Sequence, residues 1–399
     1  MSCVAPARPV LDKPMIRRAV LGGTLLILVL GGGLSLRSGT GGASSPTSDS
    51  APLRLNDLQV LGSHNSYKAA IDSSLMRLLR QRRPETARAL DYAHPPLREQ
   101  LRLGLRSLEL DVYHDPNGGR YADPRGPELV EAQGLPPGPP YDPNGRMEAP
   151  GFKVLHVQGL DFRSTCLTFR ECLREVRAWS TAHPQHVPVI ITLNAKDDSV
   201  GRPGFAEPLP FDASAFDALD AEIRSVFGPD QLITPDDVRG TAPTLRAAAQ
   251  DEQWPRLDEA RGRVMFVLDE TGRKLDAYRR GHPSLRGRAM FADAPEDSPE
   301  AAVHILNQPL EQGDRIRRLV EAGYMVRTRA DANTVEARTG TTRRRDAAFA
   351  SGAHVISTDY YRPDPTLGTD YEVDLPGGLP ARCNPVAAPA DCERAALRE

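Results

Sequence analysis

Eight short runs of β-forming residues, separated by longer helical patterns, restrict the fold of this chain more than any other feature. Strands that alternate with helices indicate parallel strands joined by helical crossovers. Eight of them predict an α/β fold, a (β/α)8 TIM-type barrel in a single domain with inserted loops, although a doubly wound open sheet gives a similar pattern. The runs span residues 58–63, 107–113, 153–157, 187–193, 263–268, 288–291, 324–329 and 354–357.

Polar side chains near the ends of the runs favour the barrel. In a barrel, catalytic residues come from the C-terminal ends of several different strands. Glu109 and Asp111 are two apart in one run and therefore point to the same side. There they repel each other unless a cation or an arginine neutralises them. The first four runs together carry His64, Asn65, Glu109, Asp111, His156, Asn194 and Lys196 in or just beyond them.

These residue types suit the cleavage of a phosphodiester. The oxygens of Asn65, Glu109 and Asp111 are hard ligands that fit Ca²⁺ or Mg²⁺ better than Zn²⁺. A divalent ion there stabilises negative charge on phosphoryl oxygens and helps to deprotonate an attacking hydroxyl. Two histidines then serve as phosphoryl stabiliser and as general acid or base near neutral pH.

Six stretches of the sequence resemble one enzyme family. They lie between residues 55 and 361 and read GSHNSY, ELDVYHDPNGG, KVLHVQGLDFRSTC, AWSTAHPQHVPVIITL, VRTRADANT and SGAHVISTDYY. The set is similar to the calcium-dependent phosphoinositide-specific phospholipases C of bacteria and fungi. The resemblance implies a TIM-type barrel, Ca²⁺ as cofactor in preference to Mg²⁺, and attack by the inositol 2-hydroxyl on its own phosphate. It implies a phosphoric diester hydrolase that converts phosphatidylinositol-type lipids to diacylglycerol and a cyclic inositol phosphate.

The resemblance also assigns roles to individual residues. His64 and His156 match the two catalytic histidines. We expect His156 to stabilise the phosphorane-like state and His64 to handle the proton, while the sequence leaves open which of them protonates the departing glycerol oxygen. Asn65, Glu109 and Asp111 match the calcium ligands.

Asn194 departs from the family pattern. It stands where the related enzymes usually carry a fourth ligand, a glutamate, and it brings an oxygen but no charge. We therefore expect weaker calcium binding, and catalytic inactivity stays open. Lys196 is expected to contact phosphate or to be a surface lysine. Arg329 and Asp331, at the end of the seventh run, are expected to face the inositol or to form a structural ion pair.

The first 52 residues differ in composition from the rest. Two arginines precede an apolar run over residues 19–36, which is the pattern of an export signal. The run is also long enough to span a bilayer uncleaved. We predict an export signal or membrane anchor at 1–36, a Gly/Ser/Pro linker at 37–52, and the phospholipase-like barrel with its C-terminal tail at 53–399. The expected location is extracellular, periplasmic, or on the outer side of the cytoplasmic membrane, anchored by the apolar run.

Cysteine usage agrees with export. Of five cysteines, Cys3 precedes the apolar run, and four remain. The simplest of three possible pairings joins Cys166 to Cys172 and Cys383 to Cys392. Metal binding by these thiols is the rival, but the sequence has no C-x-x-C pair to support it. We predict two disulfides formed in an oxidising compartment.

The charge balance restricts the partners. With 50 basic and 53 acidic residues, the formal net charge is −3. A nucleic-acid binder needs a basic surplus to neutralise phosphates, so nucleic acid is excluded as the expected partner. The expected partners are a phospholipid or small phosphodiester and, transiently, a membrane surface; we expect a monomer.

Two rival functions stay open at this point. A glycerophosphodiester phosphodiesterase-like enzyme uses a similar barrel with two histidines and an E-x-D pair, but typically follows the first histidine with arginine, whereas Asn65 follows His64 here. A non-catalytic barrel that binds phospho-sugars is the other rival, and Asn194 is its support. Fold-level resemblance alone does not fix the head group.

Overall fold

The computed structural model describes residues 52–399. These residues belong to one compact unit. The predicted export segment 1–36 and nearly all of the linker 37–52 lie outside the described residues. Within residues 52–399, no helix combines the length and the apolar character needed to cross a bilayer.

Eleven strands of the described chain form one sheet. They are β1 (Leu58–Ser63), β2 (Ser107–Tyr113), β3 (Lys153–Val154), β4 (Val189–Ala195), β5 (Leu232–Ile233), β6 (Val264–Leu268), β7 (Met290–Ala292), β8 (Val303–Ile305), β9 (Met325–Arg329), β10 (Val355–Thr358) and β11 (Ala381–Cys383).

Eight parallel strands curl into a barrel. Their order is β8–β9–β10–β1–β2–β4–β6–β7. A parallel bridge between Asp293, just after β7, and Val303 of β8 joins the two ends of the sheet. The TIM-type (β/α) barrel predicted from the alternation of runs is therefore confirmed.

One of the eight predicted barrel strands is wrong. The run at 153–157 contains the short strand β3, which is antiparallel to the end of β2, with Val154 opposite Val112. The pattern of buried residues does not distinguish an antiparallel return from a parallel strand, so the sequence could not separate the two. The eighth barrel strand is β8, which has only three residues and is too short to be recognised as a strand from the sequence. His156 consequently lies in a loop beyond β3 and not at the end of a barrel strand.

Helices surround the barrel and follow its strands. They are α1 (Ser73–Arg82), α2 (Pro84–Ala89), α3 (Leu97–Arg102), α4 (Gly126–Glu131), α5 (Phe169–Ala182), α6 (Ala213–Val226), α7 (Pro235–Arg239), α8 (Leu245–Gln250), α9 (Leu257–Ala260), α10 (Gly272–Arg279), α11 (Pro309–Glu321), α12 (Val335–Thr339) and α13 (Arg343–Ala350). Helix α5 begins as its sequence indicates: the Thr168 side chain accepts from the backbone N–H of Glu171, whose carboxylate accepts from the N–H of Thr168.

The strands are buried because helices cover them outside and side chains fill the barrel inside. All residues of β1, β2 and β6 are buried, as expected for parallel strands shielded on both faces. A cavity of about 10 Å³ inside the barrel is lined mainly by apolar side chains, among them Met265, Val303 and Val355. Arg327 of β9 also lines this cavity. A permanently charged side chain therefore projects into the core of the barrel.

The C-terminal tail packs onto the barrel, and two disulfides fasten loops. Strand β11 runs antiparallel to β1, with Cys383 opposite Leu58. Cys383 is bonded to Cys392, and Cys166 to Cys172, so both predicted pairs are present. Near the chain terminus, the carboxylate of Glu399 forms an ion pair with buried Arg106, which precedes β2. The tail thus belongs to the folded unit.

Candidate active site

Polar side chains gather where the parallel strands end. Six barrel strands contribute residues near or directly beyond their C-terminal ends: β1, β2, β4, β6, β9 and β10. These ends meet at one edge of the barrel, the edge where catalytic groups of this architecture lie. The residues are His64 and Asn65, Glu109 and Asp111, Asn194 and Lys196, Asp269, Arg329 and Asp331, and Asp359.

The turn after β1 places His64 over the barrel edge. Asn65 adopts a left-handed backbone with φ of 46°, a conformation that asparagine tolerates better than most residues. The chain therefore folds back sharply, and Ser66 binds β2: its N–H donates to the carbonyl of Glu109, and its hydroxyl accepts from the Glu109 N–H. These bonds fix the turn, and with it His64, against the E-x-D strand.

A carboxylate from the opposite end of the sequence orients His64. Nδ1 of His64 lies 3.0 Å from Oδ1 of buried Asp359. The other oxygen of Asp359 accepts from the Arg329 guanidinium at 3.2 Å. Nε2 of His64 lies 3.8 Å from Oε1 of Glu109. The ring is thus held at Nδ1, and Nε2 is directed toward the centre of the site.

The electrostatics of this group keep His64 neutral and Asp359 charged. Burial lowers the pKa of His64, the nearby charge of Arg329 lowers it further, and Asp359 only partly opposes them. Burial raises the pKa of Asp359, but its interactions with His64, its hydrogen bond to His94 and the charge of Arg329 outweigh burial and hold this pKa well below its usual range. At neutral pH, His64 therefore has a free lone pair for accepting a proton.

A second histidine supports the first through the backbone. His94 is buried, with Nε2 at 2.9 Å from the carbonyl oxygen of His64 and Nδ1 at 3.1 Å from the Tyr361 hydroxyl. Tyr92 contacts the His64 ring nitrogen at 3.3 Å. His94 and Tyr92 were not singled out in the sequence, since they lie on the irregular segment between α2 and α3.

His156 has its own carboxylate partner. Its Nδ1 lies 2.8 Å from Oδ2 of Asp161, which is fully buried. The other oxygen of Asp161 lies 3.3 Å from the ammonium of buried Lys68. Backbone hydrogen bonds between Val157 and Asp161 close the loop that carries His156. The His156 side chain is 20% exposed, so the ring is fixed on one side and open to solvent on the other.

Glu109 is paired with an arginine inside the barrel. Its Oε2 accepts from the guanidinium of Arg327, and the two side chains are each 6% exposed. Its Oε1 accepts from Nδ2 of Asn194 at 3.0 Å. Burial raises the pKa of Glu109, but nearby positive charge, that of Arg327 foremost, outweighs burial and brings the pKa below its ordinary value. Glu109 is therefore an ionised carboxylate whose two oxygens both have partners.

Asp111 is paired with Lys196. Nζ of Lys196 lies 3.5 Å from Oδ2 of Asp111, and the lysine side chain is 30% exposed. The charge of Asp111 raises the pKa of Lys196, against the opposing effect of burial. Asp111 stands opposite Asn194 in the register of β2 and β4. Lys196 thus places a positive charge at the open side of the E-x-D pair.

Each of the four predicted calcium ligands has a protein partner in this structure. Asn65 donates its amide to the Tyr92 hydroxyl at 2.8 Å, and Asn194 offers an N–H group, not an oxygen, to Glu109. The two carboxylates are already neutralised by Arg327 and Lys196. Among residues 52–399, no three His, Cys, Asp or Glu side chains are grouped so as to hold a metal ion. This donor set does not fit Ca²⁺, which takes six to eight oxygen ligands.

The two remaining predicted site residues occupy different positions. Arg329 pairs with Asp359, not with Asp331. Asp331 is fully buried and accepts from the Thr358 hydroxyl and from the Asp359 backbone N–H. Burial, together with the charge of Asp359, raises the pKa of Asp331 to about 7. Asp331 is therefore not exposed to the site. It contacts the end of β10, which carries Asp359.

Asp359, Asp161 and Arg327, like Asp269, were not predicted from the sequence as site residues. Asp359 directly follows β10 at the catalytic edge, so the rule that found Glu109 would also have found it. Asp161 stands five residues after His156 in the stretch KVLHVQGLDFRSTC, and the closed loop is what brings the two side chains together. Arg327 lies between Val326 and Thr328 in β9, and nothing in this local pattern indicates that its charge points into the barrel.

Comparison with protein-family models gives one match. Residues 53–385 match the model described as phosphoinositide phospholipase C, Ca²⁺-dependent. The match covers most of the described chain, including all eight barrel strands. No curated protein matches the sequence.

Solved structures show the same fold at low sequence identity. A calcium-dependent phosphoinositol-specific phospholipase C from Pseudomonas sp., a Gram-negative bacterium, described as an apo form in a myoinositol complex, is 16% identical with a TM-score of 0.50; the alignment covers 83% of this chain and 96% of that one. A second crystal form of that enzyme is 17% identical with a TM-score of 0.50, and the alignment covers 85% of this chain and 97% of that one. A phosphatidylinositol-specific enzyme from Streptomyces antibioticus is 17% identical with a TM-score of 0.49, over 79% and 96%.

The coupling of His64 to Asp359 generates a prediction. In the wild-type protein, we expect the pKa of His64, measured by NMR titration, to lie below the ordinary histidine value. In Asp359→Asn it should fall further, because the variant removes a negative charge and leaves Arg329. Asp161→Asn is the matched control, since Asp161 contacts the other histidine. A His64 pKa that rises in Asp359→Asn, or that responds equally to both variants, contradicts the pairing.

Proposed function

Because the chain belongs to the Ca²⁺-dependent phosphoinositide phospholipase C family, we propose that it cleaves phosphatidylinositol-type lipids. The inositol 2-hydroxyl attacks the phosphorus of its own phosphodiester, and the bond from phosphorus to the glycerol oxygen breaks. The products are diacylglycerol and an inositol 1,2-cyclic phosphate. The proton lost by the 2-hydroxyl is balanced by the proton that the glycerol oxygen gains.

Two histidine–aspartate pairs at one edge of the barrel are the observation that carries the proposal. His64 pairs with Asp359 at 3.0 Å and His156 with Asp161 at 2.8 Å. In both pairs Nδ1 faces the carboxylate, which leaves Nε2 for the substrate and stabilises the imidazolium when it forms. In-line displacement at phosphorus needs one group that takes a proton from the nucleophile and another that protonates the leaving oxygen.

His64 is the general base in this scheme. Its lowered pKa keeps the ring neutral near pH 7, so Nε2 accepts the proton of the 2-hydroxyl. Glu109, at 3.8 Å from Nε2, then stabilises the positive charge that develops on the ring. This role agrees with the expectation that His64 handles the proton.

His156 and Lys196 act on the phosphate. His156, whose Nδ1 is held by Asp161, is the proposed general acid: its Nε2–H contacts a phosphoryl oxygen and its proton passes to the departing glycerol oxygen. Lys196 is partly exposed, and its ammonium contacts the phosphate. Arg329 is the proposed contact to the inositol, while buried Asp331 supports the position of Asp359. Every step uses side chains of this chain.

Calcium dependence is a property of the family, and calcium binding by this chain stays a prediction. The roles of Asn65, Glu109, Asp111 and Asn194 as ligands rest on their match to the family. The ion pairs of Glu109 and Asp111 supply the opposing argument. The proposed reaction therefore has no step that requires the ion.

The rival functions have less support. The residue after His64 is Asn65, not the arginine typical of glycerophosphodiesterases. A non-catalytic barrel would have no use for two oriented histidines, each bonded to a buried carboxylate. Asn194, the feature that favoured this rival, is bonded to Glu109 and forms part of the site's polar network.

An apolar groove beside the His156 loop supports a lipid substrate. The groove has a volume of about 540 Å³, and α1 and the loop after β4 form its walls. Leucines 75, 78 and 79 line it together with Phe205 and with Leu160, the neighbour of Asp161. Four arginines, at positions 82, 83, 125 and 202, surround it. Apolar walls with a basic rim suit an anionic phospholipid, so the groove is the proposed contact with the membrane surface.

Export of the protein is part of the same proposal. Two disulfides are typical of an oxidising compartment, and the apolar run at 19–36 gives the export pattern. Either an extracellular or a periplasmic location, or an anchor at the outer face of the cytoplasmic membrane, exposes the enzyme to lipid. A monomer remains the expected state.

Removal of either histidine should abolish most of the activity. For His64→Ala and His156→Ala we expect turnover of phosphatidylinositol to fall by at least ~10²-fold, the usual scale for one acid–base group. A substrate that lacks the 2-hydroxyl should not react with the wild-type enzyme, because it has no nucleophile. Phosphate-containing products are quantified by chromatography, and circular dichroism verifies the fold.

The matched control for the histidine variants is His183→Ala, since His183 lies between the end of α5 and the beginning of β4 and not beyond the C-terminal end of a barrel strand. It should react like the wild type. Near-wild-type turnover by His64→Ala or His156→Ala would refute the catalytic role of that histidine. Turnover of the 2-deoxy substrate would refute internal attack.

The basic rim of the groove generates a second prediction. Arg82→Glu combined with Arg83→Glu should lower the rate on vesicles with anionic lipid by about tenfold or more, because each basic residue near such a surface contributes about 1 kcal/mol. The rate on a monomeric short-chain substrate should not change. Arg286→Glu, an exposed arginine before β7 at the other end of the barrel, is the control. Equal effects of the two charge changes would contradict the assignment of the groove.

A further inference from the structure

Arg327 sits where a charge is hard to accommodate. It is the third residue of β9, stands opposite Val355 of β10 and Ile305 of β8, and lines the small apolar cavity of the barrel. Transfer of an unpaired charge into such surroundings is strongly unfavourable, and an arginine does not lose its proton. Arg327 therefore needs an anionic partner within reach of its guanidinium.

Glu109 is that partner: its Oε2 accepts from Arg327, while its Oε1 accepts from Asn194, so both oxygens of the E-x-D glutamate are engaged. The guanidinium binds Oε2 of Glu109 and donates to the Ser357 hydroxyl at 3.1 Å. Its second nitrogen lies 3.5 Å from Asp269, whose pKa burial raises to about 7. Asp269 is thus only partly ionised at neutral pH. Removing Glu109 from Arg327, in order to bind a metal ion, would leave a buried charge poorly compensated.

Asp111 has a lysine counter-charge at the open side of the same pair. Lys196 lies 3.5 Å away, and across the strand Asn194 contributes no charge. The charges of Glu109 and Asp111 are therefore cancelled by those of Arg327 and Lys196. A divalent cation added to this group would meet a site without net negative charge, and the affinity of oxygen sites for calcium depends on their charge count.

We propose that Arg327 and Lys196 replace the divalent cation at the Glu109–Asp111 pair, so that the enzyme cleaves its phosphodiester without bound metal. This inference rests on the proposed function for its catalytic part. Lys196 is the group that contacts the phosphate, as its partial exposure permits. Arg327 is a positioning residue: it acts through Glu109, which faces Nε2 of His64.

Calcium titration of the full exported chain is the primary test. By isothermal titration calorimetry, we expect no one-to-one binding up to about 1 mM Ca²⁺, the weak end of protein calcium sites. A one-to-one site of micromolar affinity would overturn the proposal. The titration needs no substrate, so it tests metal binding independently of cleavage. If no phosphodiester is cleaved, the proposed function is refuted, but the titration still decides whether the chain binds calcium.

The rate of lipid cleavage provides the second arm. With excess EGTA, we expect the same turnover as with added calcium. A loss of about tenfold or more on chelation, equivalent to ~1.4 kcal/mol, would contradict the proposal while leaving the phospholipase function intact. Lys196→Met should lower turnover in EGTA by at least about tenfold, since it removes the charge that contacts the phosphate. Lys196→Arg should retain most of it.

A charge-reversal variant tests whether these cations exclude the metal. Lys196→Met combined with Asn194→Glu leaves Arg327 in place, removes one positive charge and adds one negative charge. We expect one-to-one calcium binding to appear in this protein, because the site becomes net anionic. Lys274→Met combined with Asn194→Glu is the control, since Lys274 pairs with Asp197 and Glu270 instead, and it should bind calcium more weakly. Equal calcium affinity of the two proteins would overturn the proposal.

Discussion

The buried ion pair between Arg327 and Glu109 is the interaction on which the arrangement of the site depends. An arginine that lines the barrel core fixes the ionised carboxylate directly above it. Glu109 in turn orients the amide of Asn194 and faces His64. A buried pair of this kind is weak evidence for added stability, yet loss of one partner is strongly destabilising. The barrel interior therefore determines the charge at the catalytic edge.

Pairing of opposite charges continues outward from this pair to the histidines. Asp359 lies between His64 and Arg329, and Asp161 lies between His156 and Lys68. Each histidine is consequently held by a carboxylate that has a second, basic partner. This arrangement fixes the orientation of each ring before substrate arrives, which is how preorganised sites lower the barrier to reaction.

The sequence predicted the parts of the site that lie on regular strands and missed the parts that depend on distant partners. Glu109 and Asp111 could be identified as a pair because their period-two spacing places them on one face of an apolar strand. Their counter-ions were not, since Arg327 is 218 residues from Glu109 and Asp359 is 295 residues from His64. The barrel was predictable from the alternation of runs. Strand β8 and the antiparallel direction of β3 could not be predicted, because a short buried segment does not indicate the direction of its strand.

The most direct test of the account is phosphorus NMR of the products formed from phosphatidylinositol by the wild-type chain in EGTA. We expect a five-membered cyclic phosphodiester to appear first, with diacylglycerol released in equal amount, because the nucleophile is the substrate's own 2-hydroxyl. We expect the reaction to proceed in EGTA because the chain itself supplies the positive charge. Phosphatidic acid with free inositol as the first products, or an inositol monophosphate without a cyclic precursor, would contradict it.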